Sequence, residues 1–299
     1  MSEYSITRLK YLVSDRMVTL VVTGVLILSS HSTLAKPQRI VSINLCTDQL
    51  LMLLAKRENI ESVSYLAAKP DASAMFEEAA GIRKNQGQAE EILQMKPDLI
   101  LAGTFTARPA VFLLKRLGFN IVELPVVSNF DDIRRNIMTV ARAIGEVQRG
   151  ELLVASFNNR LLAALATHKQ QRPVAVFYRE NGYTTGANTL ANTILDAGGF
   201  DNLAAHLGIS GSGHLSLETL IDKNPDIIIS GRKSSKQGSV AMAAFQHPAF
   251  KKFIAQKKMI TISDPLWVCG TPFVLDAVEN LVAVRQFRPD NQVAIEPVQ

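Results

Sequence analysis

The sequence predicts an α/β protein of two lobes, each with a mainly parallel sheet, joined by one long helix. Three observations predict it. Short β-rich apolar runs alternate with helical stretches, the series starts a second time near residue 170, and a proline-free segment with a helical stripe separates the two series. A chain of 299 residues with 47% hydrophobic and 20% charged residues has the composition of a folded protein and room for two domains of roughly 100–150 residues.

Residues 1–35 stand apart from that pattern. Arg8, Lys10 and Arg16 precede the apolar run MVTLVVTGVLIL (17–28), and SSHSTLA then ends in the small Ala35, the three-part layout of a secretory signal. Twelve apolar residues fall short of the ~20 that a spanning helix needs. Asp15 beside the run and Thr33 near the expected cut speak for the alternative, an uncleaved membrane anchor. Cys46 lies far beyond the run and follows a bulky leucine, unlike a lipid-anchored N-terminal cysteine. The expectation is a soluble, exported protein with its signal cleaved near Ala35.

The first lobe, 36–145, draws strands from RIVSIN (39–44), IESVSY (60–65), DLILAG (98–103) and NIVEL (120–124). Apolar runs of this length, separated by helical stretches, argue for strands buried on both faces in βαβ units. The linking segment EVQRGELLVASFNNRLLAALATHK (146–169) places Leu153, Phe157, Leu161 and Leu165 four apart on one stripe. It predicts one helix of roughly 35 Å. The second lobe, 170–299, repeats the alternation with PVAVFY (173–178), DIIISG (226–231) and MITIS (259–263), and with the helical TLANTILDAG and PFVLDAVENLVAVRQF.

One fragment occurs in both lobes. EEILQMKPDLILAG (90–103) returns 128 residues later as ETLIDKNPDIIISG (218–231), pairing Glu90 with Glu218, Pro97 with Pro225, Asp98 with Asp226 and Gly103 with Gly231. Each copy reads as the last turn of a helix, a proline stop, and a strand that begins at Asp and closes at Gly. Proline, aspartate and glycine are what such a connection uses in any protein. A helix surface needs no particular acid, so the paired glutamates call for another reason.

Without residues 1–35 the chain keeps 29 basic and 25 acidic residues, a net charge of +4. That is too mild and too evenly spread for nucleic acid. KKFIAQKK (251–258) sets Phe253 and Ile254 between paired lysines, as on an amphipathic surface helix. Two cysteines are too few to be the scaffold's main support.

Six stretches then carry a resemblance. RIVSINLCTDQLLMLL, EEILQMKPDLILAG, LGFNIVEL, NGYTTGANTLANTILDAGGFDNLA, LSLETLIDKNPDIIISG and PFVLDAVENL, in that order over about residues 39–288, resemble the substrate-binding proteins of ABC importers. The group in question has a rigid helical backbone and binds cobalamin, ferric siderophores and haem. The resemblance implies two Rossmann-like lobes with the ligand in the cleft between them. It implies a periplasmic monomer that captures a metal chelate, cobalamin-like or a ferric siderophore, and delivers it to a dimeric ABC permease with its ATPase. No cofactor of its own is expected, and the transported ligand contains cobalt or iron. In that family one exposed acid per lobe docks onto the permease, and the matching positions here are Glu90 and Glu218. Two homologous lobes would thus match a two-fold partner.

In open α/β sheets ligands lie beyond the carboxyl ends of the strands. That rule selects Leu45, Cys46, Thr47, Tyr65, Phe105 and Arg108 in the first lobe, and Tyr178, Arg179, Arg232, Trp267 and Cys269 in the second, with His214 just ahead of the repeated motif. Aromatic rings cover macrocycle area and arginine forks engage acids, whereas Glu180 and Asp264 temper a purely cationic cleft.

Haem or bare zinc or manganese is the neighbouring alternative, although His168, His206, His214 and His247 show no close ligand spacing. An enzyme acting on a metal chelate is an alternative of another class. The chain is nevertheless read as a non-enzyme, because it has no P-loop, no G-x-S-x-G and no H-E-x-x-H. GISGSGH (208–214) reads as a flexible loop. Cys46 and Cys269, one per lobe, are both placed near helix N-termini, which favour a thiolate. The expectation is two cleft-facing thiols that touch the ligand. Two buried thiols, or a disulfide with Cα atoms within roughly 7 Å that would obstruct the cleft, are the alternatives.

Overall fold

The computed structural model describes residues 36–167, 171–230, 247–255 and 258–286. The expected export segment, His168, Gly231 and Arg232 lie outside the described residues.

Strands β1 (Ile40–Ser42), β2 (Ile60–Ser64), β3 (Arg83–Asn85), β4 (Leu99–Gly103) and β5 (Ile121–Leu124) form one parallel sheet in the order β3-β2-β1-β4-β5. Helices α1 (Leu45–Leu54), α2 (Ala89–Met95), α3 (Arg108–Arg116) and α4 (Phe130–Ala143) connect or flank it. Side chains alternate across the sheet. Ile40, Leu99 and Leu101 join Leu50, Leu51, Ile133 and Ile137 on one face, while Val41, Ile100 and Ala102 join Ile92, Val111 and Leu114 on the other. Because both faces are covered, the strands read as unbroken apolar runs.

The linking helix α5 spans Val147–Leu165, shorter at its end than the expected 146–169. It buries Phe157, Leu161 and Ala164, with Leu153 partly buried, whereas Leu165 is exposed. A helix turns 3.6 residues at a time, so a strict four-residue stripe drifts off the buried face by its last member. Gly150 sits where a Cβ would lie 2.5 Å from that of Ala141 on α4, so the two helices approach more closely than a side chain would allow.

Beyond α5, strands β6 (Val174–Phe177), β8 (Asp201–Asn202), β10 (Ile227–Ser230) and β11 (Lys258–Thr261) pair in parallel in the order β11-β10-β6-β8. Helices α6 (Leu190–Ala197), α7 (Leu203–His206), α8 (Leu217–Lys223), α9 (Pro248–Ile254) and α10 (Val274–Gln286) surround them. In α9, Lys251 and Lys252 face solvent and Phe253 is buried, the amphipathic arrangement expected of that stretch. The core that holds Leu50 and Ile133 continues through Phe157 and Leu161 to Ile194, Phe177, Ile229 and Leu281, so α5 is a shared wall of both lobes. Arg160 adds hydrogen bonds of 3.0 and 2.8 Å from α5 to Glu279 on α10.

The glycine-rich stretch 208–214 corrects its expectation. Ser212–His214 is strand β9, paired antiparallel with β7 (Tyr183–Thr185). Backbone pairing across three residues holds what composition alone reads as loose.

The repeated fragment has one geometry in both lobes. Each copy opens a two-turn helix, so Glu90 and Glu218 lie exposed in the first turn and not, as expected, in the last. Helix α2 ends at Lys96 and α8 at Asn224, both left-handed with φ of 48°, and Pro97 and Pro225 follow. The aspartates then clasp the neighbouring strand. Asp98 donates its amide to the Arg39 carbonyl and accepts from the Gln38 and Arg39 amides at 2.9 and 3.0 Å. Asp226 donates to the Val174 carbonyl and accepts from the Val174 amide at 2.7 Å.

Candidate functional site

A cavity of about 440 Å³ opens between the two sheets, lined from both lobes at the carboxyl ends of their strands. In the first lobe its wall is built on Asn44. That side chain caps α1, accepting from the Cys46 and Thr47 amides at 3.0 and 3.3 Å. It also donates to the Thr106 hydroxyl at 2.7 Å, tying the end of β1 to the loop after β4. Thr104, Phe105 and the run Leu124–Pro125–Val126–Val127 complete this side.

From the second lobe come Thr185, Thr189, Leu190, Ala191, Ser212, Trp267, Val268 and Gly270. The Trp267 ring stacks on Phe177 at 4.8 Å, and the Arg179 guanidinium lies over it at 5.4 Å while bonding Asp264 at 3.2 Å. The buried Trp267 Nε1 and Thr185 Oγ1 have no hydrogen-bond partner. Both residues line the cavity, although these two atoms are themselves closed off from solvent. The mouth is apolar on both sides, with Phe105 70%, Val126 64% and Val268 51% exposed. Among the described residues the lining contains no charged side chain and no histidine, tyrosine or methionine.

A family profile described as "Periplasmic binding protein" matches residues 40–265. The chain belongs to this periplasmic binding protein family. Membership implies an exported or periplasmic location and a role in binding. It is similar to a "Cobalamin-binding protein" of Halobacterium salinarum, 24% identical over 213 residues, which covers 70% of this chain and 58% of the relative. The chain thus matches little more than half the length of that relative. A "Vitamin B12-binding protein" of Photorhabdus laumondii is 24% identical over 258 residues, covering 84% of this chain and 89% of the relative.

Solved periplasmic binding proteins share the two-lobed fold. A heme-binding protein from Roseiflexus sp. RS-1 in apo form superposes with a TM-score of 0.68 at 22% identity, covering 82% of this chain and 97% of that one. The vitamin B12 binding protein of Vibrio cholerae gives 0.65 at 20% identity, covering 84% and 97%.

Of the residues selected from sequence, Cys46, Thr47, Phe105 and Trp267 line the cavity. Leu45 is buried as the first residue of α1, and Arg108 is exposed as the first of α3. Tyr65 begins a 3-10 turn with the Lys69 ammonium 5.4 Å from its ring, and His214 meets Tyr183 edge-on at 6.5 Å. Arg179 reaches the cavity only through Trp267, and Arg232 lies outside the described residues. Tyr178 is a correction. It is buried in the second lobe's core against Phe250, and burial, with the nearby Glu218 carboxylate, pushes its phenol up.

The cysteines are the larger correction. Cys46 and Cys269 form a disulfide between the lobes, with Cα atoms 5.1 Å apart, in place of two thiols facing a ligand. The objection that such a bond would block the cleft fails because it lies in the cavity wall: Cys46 is part of the lining and Cys269 is buried behind it. Closing a loop across 223 residues removes roughly 5 kcal/mol of unfolded-chain entropy.

Several lining residues were missed. Pro125, Val126 and Val127 directly follow β5, so the strand-end rule would have found them. Asn44 and Thr189 carry cap signals at helix starts. Thr185 and Ser212 had no signal, because they sit on the short antiparallel pair. No group of three or more histidine, cysteine, aspartate or glutamate side chains that could hold a metal occurs among the described residues.

Proposed function

We propose that the protein is the solute-binding component of an ABC importer and that its ligand is a cobalamin-like corrinoid. The lining carries this reading: apolar and aromatic walls with hydroxyls and amides, without a charged or metal-ligating side chain among the described residues. Such a wall suits a large ligand whose metal is already fully coordinated and whose periphery is neutral and amide-rich, with the exposed rim covering apolar ligand surface. Haem would call for a group on its iron and cations for its carboxylates.

On this reading Glu90 and Glu218 dock the two lobes onto a dimeric permease, and residues 1–35 are a signal removed near Ala35. The cobalt arrives with the cargo. Purified mature chain should bind cyanocobalamin in calorimetry at least a hundredfold more tightly than haem or a ferric hydroxamate. Tighter binding of either competitor would sink the corrinoid assignment.

A further inference from the structure

Three contacts join the lobes beside the cavity within a few residues of one another. They are the Cys46–Cys269 bond, a buried hydrogen bond of 2.9 Å from the Thr271 hydroxyl to the Gln49 side-chain oxygen, and the close seat of Gly270. A Cβ on Gly270 would lie 2.4 Å from the Val127 side chain. Both partners of the disulfide belong to cavity walls. Cys46 stands in the first turn of α1, which presents Thr47 and Leu50 to the cavity, and Cys269 stands between the lining residues Val268 and Gly270. Segment 267–270 is neither strand nor helix. A chain stretch of that kind holds its side chains in place only through what it is attached to.

We propose that the Cys46–Cys269 disulfide is a positioning element of the ligand site, so that the site's affinity is linked to the redox state of this pair. The bond holds segment 267–270 against α1, and Trp267 and Val268 then form one wall with Thr47 and Leu50. The inference rests on the reading of this cavity as the ligand site. A dithiol reductant attacks the bond, leaves two protein thiols and departs as its own cyclic disulfide, so electrons and protons balance. In the reduced protein the segment keeps Thr271–Gln49 but loses its covalent tie, and Trp267 must be ordered anew at each binding event. Wall residues fixed beforehand lose less freedom on binding, so the oxidised form is the tighter binder. Linkage is reciprocal, so bound ligand must protect the disulfide by the same factor.

Trp267 is the chain's single tryptophan and reports on the segment without any ligand. The test compares oxidised wild type, wild type reduced with dithiothreitol, and the Cys46→Ser/Cys269→Ser variant. Reduction should red-shift Trp267 emission, increase its quenching by acrylamide, and weaken cyanocobalamin binding about tenfold, chiefly through faster release. Reoxidation should restore all three. The variant should match the reduced protein and ignore the dithiol, and cyanocobalamin-saturated wild type should be about tenfold harder to reduce. Emission and affinity that agree within twofold between the two redox states would overturn the proposal. So would loss of far-ultraviolet circular dichroism on reduction, since the bond would then hold the fold and not the site. If cyanocobalamin binds neither form, the corrinoid reading fails on its own. Trp267 then decides alone: a shifted emission supports the positioning role and an unchanged one overturns it.

Discussion

The two lobes carry the same helix-proline-aspartate-strand fragment, yet Asp98 clasps two backbone amides and Asp226 one. The difference lies in the neighbouring strand. Arg39 and Val174 occupy equivalent places, and the residue before each is Gln38 in one lobe and Pro173 in the other. Proline has no amide hydrogen to give. A second contrast sits at the cavity. In the first lobe the chain leaves β1 directly into the capped helix α1, whereas in the second it leaves β6 into a 3-10 turn and the strand β7. The lobes therefore share an architecture, and each brings a capped helix start to the cavity, α1 at Asn44 and α6 at Thr189, but only the second adds a short antiparallel pair.

The largest expected effect exploits that second contrast. Helix α1 carries Asp48, whose carboxyl accepts from the Ser64 amide at 3.0 Å and the Ser64 hydroxyl. Burial pushes it up to about 7 from an ordinary 3.8, against the lowering effect of Ser42, Ser64 and Lys84. The fold thus prefers its neutral form. Its contribution to stability is full below about pH 4 and is lost as pH rises through 7. Asp48→Asn, which stays neutral, should flatten this slope, with a difference from wild type on the order of 3 kcal/mol accumulating between pH 4 and 8 in denaturant titrations. Parallel curves for the two proteins would refute it.

Docking sharpens the comparison next. Glu90→Arg with Glu218→Arg should weaken permease binding roughly a hundredfold while ligand affinity stays unchanged, and either change alone should do less. The two glutamates differ locally: hydrogen bonds from its own backbone amide and from the Ser216 hydroxyl hold the Glu218 carboxyl below its usual range, with His247 adding to this. Both also offset unpaired amides at a helix start. Melting curves of each variant must therefore accompany the docking measurement. Normal transport with the double variant would make them surface acids.

Smaller still is the clasp. Asp98→Ala should cost about 2 kcal/mol and Asp226→Ala about 1, following the number of amides each releases. Equal losses would show that the strand pairing, and not the carboxylate, sets the cost. The smallest effect is expected of lobe motion. Helix α5 shares its core with both lobes, and bending it would break backbone hydrogen bonds, so ligand should change the radius of gyration by less than about 1 Å in solution scattering. A contraction of several ångströms would contradict this.

The sheets were legible because β1, β4 and β10 are covered on both faces and announce themselves as apolar runs. Three-residue β7 and β9 were not, since neither length nor composition marks them. At the site, the strand-end rule located the right region but ignored side-chain parity. Phe177 points to the face where Trp267 stacks, and its neighbour Tyr178 therefore points to the opposite core. The cysteines show a different limit. Their placement near helix starts was readable, but two residues 223 positions apart reveal their separation in space only once both lobes are assembled.

That separation also has a meaning in time. Cys46 is synthesised 223 residues before its partner. At roughly 5–20 residues per second the ribosome takes about 10–45 s to cover the distance. All five strands of the first sheet exist long before then, with Cys46 waiting as a thiol. A chain interrupted between residues 125 and 268 thus carries all five strand segments of the first sheet and an open sulfhydryl. Closure of the bond is a chemical mark that the polypeptide has been made as far as residue 269, in the loop that brings Trp267 and Val268 to the cavity.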